Sequence, residues 1–188
     1  MKKLIAAALF TALGAMLAAG PASAGMLKKP TGRVILTIAG NVANTNRPPY
    51  DEHRDGFIKY HEHKFKKAAE FDAAMLDSFG VHTVTIAFPK WGPKPFTFSG
   101  PRLADVLKAA GWDGKSITTL ALDGFGTKIS KADLAAHDWI LATRVNGHPP
   151  GIGQKGPLWL VFGLPGNRQA TDKEEEQWPW ALFYIQAE

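Results

Sequence analysis

The chain has 188 residues, a formal net charge of +5 and no cysteine. The missing thiols exclude disulfides, thiolate catalysis, zinc–thiolate sites and iron–sulfur clusters together. The charge excess is too small, and the lysines and arginines too little interleaved with aromatic residues, for a nucleic-acid surface.

Lys2 and Lys3 precede an apolar stretch from Leu4 to about Ala19, which Gly20 and Pro21 interrupt. Ala22-Ser23-Ala24 then supplies the small-residue pattern of a signal-peptidase site. The stretch is short for a membrane span, and no cysteine follows it to carry a lipid. The expectation is a cleaved signal peptide over 1–24 and a mature chain from Gly25, soluble in a bacterial periplasm; the alternative is an uncleaved anchor. Removing 24 residues from 188 leaves 164, and removing two lysines lowers the charge to +3. One domain over 25–188 with one core is the expectation. Six tryptophans fit either a packed core or a pocket for a flat aromatic ligand.

In chain order, Arg33–Ala39 reads as a strand closed by Gly40-Asn41. From Asn44 to Glu70 the pattern dissolves into Pro, His and charge, predicting a long loop with at most a short helix. Asp72 suits the cap of a short helix ending near Gly80. His82–Phe88 is β-branched and alternating, a strand that runs into the loop Pro89–Pro95. Thr97-Phe98 is short and extended. Ser99 or Gly100 is expected to open a helix with Pro101 at its first position and an apolar face of Leu103, Val106, Leu107 and Ala110, stopped by Gly111. Ile117–Leu122 and Gly126–Ile129 read as strands around the turn Asp123-Gly124. Trp139–Val145 is a further strand with Asn146-Gly147 as a hairpin turn. Leu158–Phe162 and Trp180–Ile185 complete the set, with a charged loop over Thr171–Glu176 between them. The fold class is α+β, with few short helices and a mixed or barrel-like sheet.

Four segments stand in order: Phe98-Ser-Gly-Pro-Arg-Leu-Ala-Asp-Val-Leu107, Ala121-Leu-Asp-Gly-Phe125, Ile140-Leu-Ala-Thr-Arg-Val-Asn-Gly147 and Lys155-Gly-Pro-Leu-Trp-Leu160, followed by a Trp-rich terminal strand. This series resembles the oxidoreductase molybdopterin-binding domain, the fold of the sulfite oxidase family, over roughly Arg33 to Ile185. In catalytic members a cysteine near the end of the strand matching Val84–Phe88 ligates molybdenum as a soft thiolate. This chain has Thr83, Thr85 and Ala87 there. The resemblance therefore implies the fold and a pterin pocket, and no molybdenum is expected. The wording His82-Thr-Val-Thr, Trp91, Ile-Leu-Ala-Thr-Arg and Lys-Gly-Pro-Leu-Trp is similar to small periplasmic cysteine-less members. Some of these bind free pterins and contact the periplasmic domain of a membrane-bound GGDEF/EAL enzyme of cyclic-di-GMP turnover.

A pterin needs an aromatic face to stack on and partners for its donor–acceptor edge. Trp91, in the Pro/Gly-rich loop after the strand, is the first stacking candidate; the other reading is a lid on the rim. Phe88 at the strand end and Trp159, opposite Leu158 and Leu160, are ligand contacts or core. Thr85, nearest the vacated cysteine position, offers a hydroxyl or is simply a strand former. Asp123 offers a carboxylate, although turn chemistry alone explains it. Arg144 and Lys155 would meet a hydroxylated tail or ring carbonyl, or are solvated charges. Trp178, biased to extended backbone by Pro179, is expected at the pocket mouth, with Arg168 a weaker lid contact.

His61-Glu62-His63, with His53 upstream, is the rival site, a metal-binding set or a solvated loop. Three functional classes follow: a non-catalytic pterin receptor acting as a ligand-dependent regulator, a molybdopterin-dependent oxidoreductase with a non-cysteine metal site, and a metal-binding accessory protein.

Overall fold

The computed structural model describes residues 27–92 and 94–188; the expected signal peptide over 1–24 and its junction at Gly25 lie outside them. Strand β1 (Val34–Gly40) is buried from Leu36 to Ala39 because it has a partner on each side. The expected loop after it is more ordered than its composition suggests. The guanidinium of Arg47 pairs with Asp55 at 2.5 Å and with Glu70 at 2.8 Å, and lies 4.7 Å from the Phe65 ring centroid. These contacts hold a one-turn helix, α1 (Gly56–Tyr60), and lead into β2 (Ala68–Asp72), a strand that the charged sequence before it concealed. Asp72 does cap the next helix, α2 (Ala73–Asp77), accepting from the Met75 amide, and it also accepts from the amides of Thr31 and Gly32.

Strand β3 (His82–Ile86) pairs with β4 (Phe96–Gly100) across the Pro-rich connection, whose Pro89–Trp91 forms a single 3-10 turn. Ser99 and Gly100 belong to β4 and do not open the following helix. Helix α3 (Leu103–Ala109) has Arg102 as its cap residue, so Pro101 precedes the helix instead of starting it. The strand pairing of β4 outcompetes the helical reading of that segment. Strands β5 (Ser116–Ala121) and β6 (Lys128–Ser130) follow. Ser130 then caps α4 (Lys131–Ala136), a helix not expected from the sequence.

The expected strand Trp139–Val145 is two strands, β7 (Trp139–Ala142) and β8 (Arg144–Val145), in different sheets. The break has a cause at Thr143, whose amide donates to Ser99 and whose hydroxyl donates to Asp77. Asn146-Gly147 does turn tightly, with φ of 50° and 81°, a pair of left-handed conformations that suits Asn-Gly. Strand β9 (Trp159–Phe162), helix α5 (Asp172–Glu175) and β10 (Leu182–Ala187) complete the chain. Helix α5 replaces the charged loop expected at Thr171–Glu176, because Thr171 and Glu174 form a reciprocal capping box.

The architecture is α+β, with three sheets and few short helices. The largest sheet has the order β2-β1-β10-β5-β6; only β1 and β10 run parallel. The second is β3-β4-β8, and β7 pairs with β9 in the third. The sheets stay open: β2 and β6 lack outer partner strands, so no barrel closes among the described residues. Single bridges join the sheets, Arg102 to Ile140 and Leu158 to Leu182. The larger core includes Leu36, Phe98, Leu141 and Leu160, all fully buried, and a smaller one gathers Ile58, Phe65, Leu120 and Tyr184.

Candidate functional site

Phe88 is 2% exposed and lies at the centre of an aromatic cluster. Its ring stacks on Trp91 at 4.9 Å and meets Phe96, Phe98, Trp159 and Trp178 within 6.0 Å. The alternation of β3 delivers Phe88 inward, and the Pro89–Trp91 turn folds Trp91 back over it. Trp91 is therefore half-buried against the core and not free in its loop. The Trp159 Nε1 donates to the Trp178 carbonyl at 3.2 Å, fixing the two indole-bearing segments against each other.

A cleft of about 350 Å³ opens above this cluster, lined by Phe88, Trp91, Trp159, Trp178 and Trp180 on its aromatic side. Its other wall carries Asp123, Asp172, Glu175 and Glu176 against one cation, Lys90. Lys90 reaches Asp172 at 2.7 Å and so ties the Pro89–Trp91 turn to α5. Helix α5 is itself braced by Arg168, whose guanidinium grips both carboxylate oxygens of Glu174. That grip, with the Thr171 contacts, holds the Glu174 carboxyl down at about 2. Two atoms on residues lining this cleft are buried without a partner among the described residues, the Trp178 Nε1 donor and the Glu175 Oε1 acceptor. Each such group costs roughly 1–3 kcal/mol when left unpaired.

A second hollow of about 300 Å³ adjoins the first and shares Trp91 and Trp159 with it, adding Phe96, His148, Gln154 and Lys155. Lys155 stands between the rings. Its Nζ lies 3.7 Å from the Trp91 centroid, 4.6 Å from Trp180 and 5.1 Å from Trp159. The chain places it there because the Lys155 carbonyl accepts from the Ala181 amide, which sets the residue beside Trp180. Burial pushes the Lys155 ammonium below the usual lysine value, and the Glu175 carboxylate opposes that shift. The three indole faces also favour the charged form, each by about 0.5–2 kcal/mol.

Phe88, Trp91, Trp159, Trp178 and Asp123 thus converge, with Lys155 alongside in the adjoining hollow. The Asp123 carboxylate also caps its own turn, accepting from the Phe125 amide at 3.0 Å. Thr85 and Arg144 are not among the residues lining either hollow. Thr85 sits opposite Thr97 in the β3–β4 ladder, out of phase with the inward Phe98 and Ile86. Arg144 is turned toward Asp77 in a paired contact of 2.6 and 3.1 Å, which holds the Asp77 carboxyl below its ordinary value. Arg168 braces α5 and does not line the cleft. Sequence reading missed Lys90, Phe125, Asp172, Glu175, Glu176 and Trp180. The Thr171-x-x-Glu174 capping pattern was the available signal for the helix that carries Asp172 and Glu175 and is followed by Glu176.

The histidines do not gather. His53 is exposed beside Glu52, His61 lies among Phe57, Tyr60 and Phe183, and His63 lies against Tyr184. Among the described residues no three metal-ligating side chains converge, and no helix is long and apolar enough to cross a membrane. No family model matches the chain, and no curated protein matches it.

Proposed function

We propose that the chain is a non-catalytic binding protein for a free, reduced pterin, held in the cleft between the Trp91 turn and α5. The observation that carries this reading is the pairing of an aromatic cluster with an unpartnered donor and an unpartnered acceptor, both buried, on residues that line the same cleft. The amino-pyrimidinone edge of a pterin supplies what each lacks. Its amino and ring N–H groups donate to the Glu175 carboxylate, and its carbonyl or ring nitrogen accepts from Trp178 Nε1. The bicycle meets the aromatic wall that Trp91, Trp159, Trp178 and Trp180 form along the cleft, and a cleft of this volume falls within the range of small-molecule sites. Glu175 takes the acceptor role that Asp123 held in the sequence reading, and Trp178 Nε1 the donor role that Arg144 held.

The finer fold assignment, a sulfite oxidase-like molybdopterin-binding domain without its metal ligand, rests on the four ordered sequence segments. On the Ala22-Ser23-Ala24 pattern we assign the chain to the periplasm after cleavage at Ala24, and on the absent thiolate ligand we assign it no molybdenum. Its role is then a pterin-dependent regulator that contacts the periplasmic domain of a membrane-bound GGDEF/EAL enzyme. A regulator of this kind must present a different surface when occupied, and the Trp91 turn, tied to α5 through Lys90, is the segment adjoining the ligand.

Calorimetry and tryptophan emission with a dihydropterin test the ligand, with adenine as a flat control that lacks the amino-pyrimidinone edge. Quenching with a dissociation constant well below millimolar is expected for the pterin alone. Absence of heat and quenching up to about a millimolar refutes the ligand assignment. Mass spectrometry of the periplasmic fraction should find Gly25 at the amino terminus, and a retained leader refutes the export assignment.

A further inference from the structure

We propose that Trp91, Trp159 and Trp180 form a cation-binding cage for a small methylated ammonium ligand, which Lys155 occupies as a tethered competitor. This goes beyond the pterin reading and does not depend on it. The geometry of the cage is marked by the cation already in it, 3.7, 5.1 and 4.6 Å from the three ring centroids. Aromatic enclosures of this kind recognise quaternary ammonium groups through the ring quadrupoles.

Lys155 is an odd occupant. Among the described residues its Nζ has no carboxylate within ion-pair distance and no hydrogen-bond acceptor, whereas Lys59, Lys90, Lys128 and Lys131 each reach a carboxylate. A primary ammonium wants three acceptors, and this one gives up part of its water for ring faces alone. A methylated ammonium has no such donors to satisfy and is better suited to the enclosure. The rings also differ in how firmly they are held. Trp159 is 3% exposed and Trp91 is stacked on the buried Phe88, while Trp180 is 37% exposed and forms the open side. The flexible lysine stem is therefore the part that can leave without disturbing the cluster. The neighbouring cleft adds carboxylates on Asp123, Glu175 and Glu176, none of which forms an ion pair among the described residues, so the surrounding field favours a cation and disfavours an anion.

A side chain tethered beside its site competes at an effective concentration of millimolar order or above. Removing it should expose the cage to a free ligand. The probe is choline, and the control is 3,3-dimethylbutan-1-ol, its uncharged isostere. In Lys155→Ala, choline should perturb tryptophan emission with at least tenfold higher affinity than in the unsubstituted chain, and the isostere should show no comparable gain. In the unsubstituted chain, high choline should raise the acetylation rate of Lys155, read by peptide mass spectrometry, as the ammonium is expelled into water. No gain for choline in Lys155→Ala overturns the cage. An equal gain for the isostere also overturns it, because the slot is then merely apolar. An acetylation rate that choline leaves unchanged overturns the competitor role. The pterin titration of the unsubstituted chain fails or succeeds independently of these arms.

Discussion

Replacing Glu175 with Met should move stability and ligand affinity in opposite directions. In the free chain Glu175 Oε1 is buried without a partner, so the carboxylate has lost hydration there and gained no hydrogen bond in return. Met has similar length and fills the same space without a polar atom. Glu175 is only partly buried as a residue, and it supports the Lys155 charge nearby. The full penalty of about 1–3 kcal/mol for an unpaired buried group is therefore discounted. Unfolding free energy should stay level or rise by at most about 1 kcal/mol. With a pterin bound, the same carboxylate accepts from the amino-pyrimidinone edge, and a charged hydrogen bond is worth about 1.5–3 kcal/mol. Its loss corresponds to roughly ten- to hundredfold weaker binding. Urea denaturation and calorimetric titration of the same preparation give both quantities. A clear loss of stability with unchanged pterin affinity would show that Glu175 serves the fold and not the ligand.

Arg144→Ala should leave pterin binding within twofold of the unsubstituted chain, because its guanidinium is committed to Asp77 and does not line the cleft. Stability should fall by no more than about 1 kcal/mol, since the pair is partly exposed; tenfold weaker binding refutes the placement. The carboxyls of Glu174 and Glu188 are lowered from 4.5 to about 2, the first by Arg168 and the second by Lys128, Ser116 and Thr118. Their stabilisation is complete above the ordinary glutamate value and is lost as pH falls through about 2. Thermal melts from pH 6 down to about 2 should show it, and Glu174→Gln should flatten the curve in that window. A curve unchanged by Glu174→Gln rules out Glu174 as a contributor. Gly100→Ala should destabilise by about 3 kcal/mol or more, because the added methyl would sit 2.1 Å from the Leu141 carbonyl oxygen. A melt within a few degrees of the unsubstituted chain would mean that β4 and β7 are not so closely apposed.

The strands that carry long β-branched or alternating runs were legible, and β1, β3 and β5 stand close to where the pattern put them. Local periodicity failed where a distant partner decided the outcome. Ser99-Gly100-Pro101 looks like a helix start, yet Ser99 is paired to Thr83 and Arg144 across the sheet. The Trp139–Val145 run looks continuous, yet Thr143 bonds to Ser99 and Asp77 and divides it. At the cleft Phe88, Trp91, Trp159 and Trp178 were readable from their loop and strand-end positions, whereas Phe125 and Trp180 were not. Arg144 was not, because nothing local announces that Asp77, far away in sequence, will claim its guanidinium. Glu175 was hidden for the complementary reason: a run of acidic residues looks like solvated surface until a capping box folds it against the tryptophans.

Ala181 sits between Trp180 and the first residue of β10 with φ of +53°, a left-handed conformation that a methyl-bearing residue adopts at a cost of about 1 kcal/mol. The next residues carry a bulge in the pairing of β10 with β5. This twist lets successive residues diverge, Trp180 outward to the rings around Lys155 and Leu182 inward to full burial. The backbone is thus strained at the point from which the exposed wall of the cage is aimed. A chain optimised for durability alone would carry glycine there and would lose the fixed bearing of that indole. Alanine has fewer backbone conformations open to it than glycine, so at this corner the strain and the fixed bearing of the indole come together.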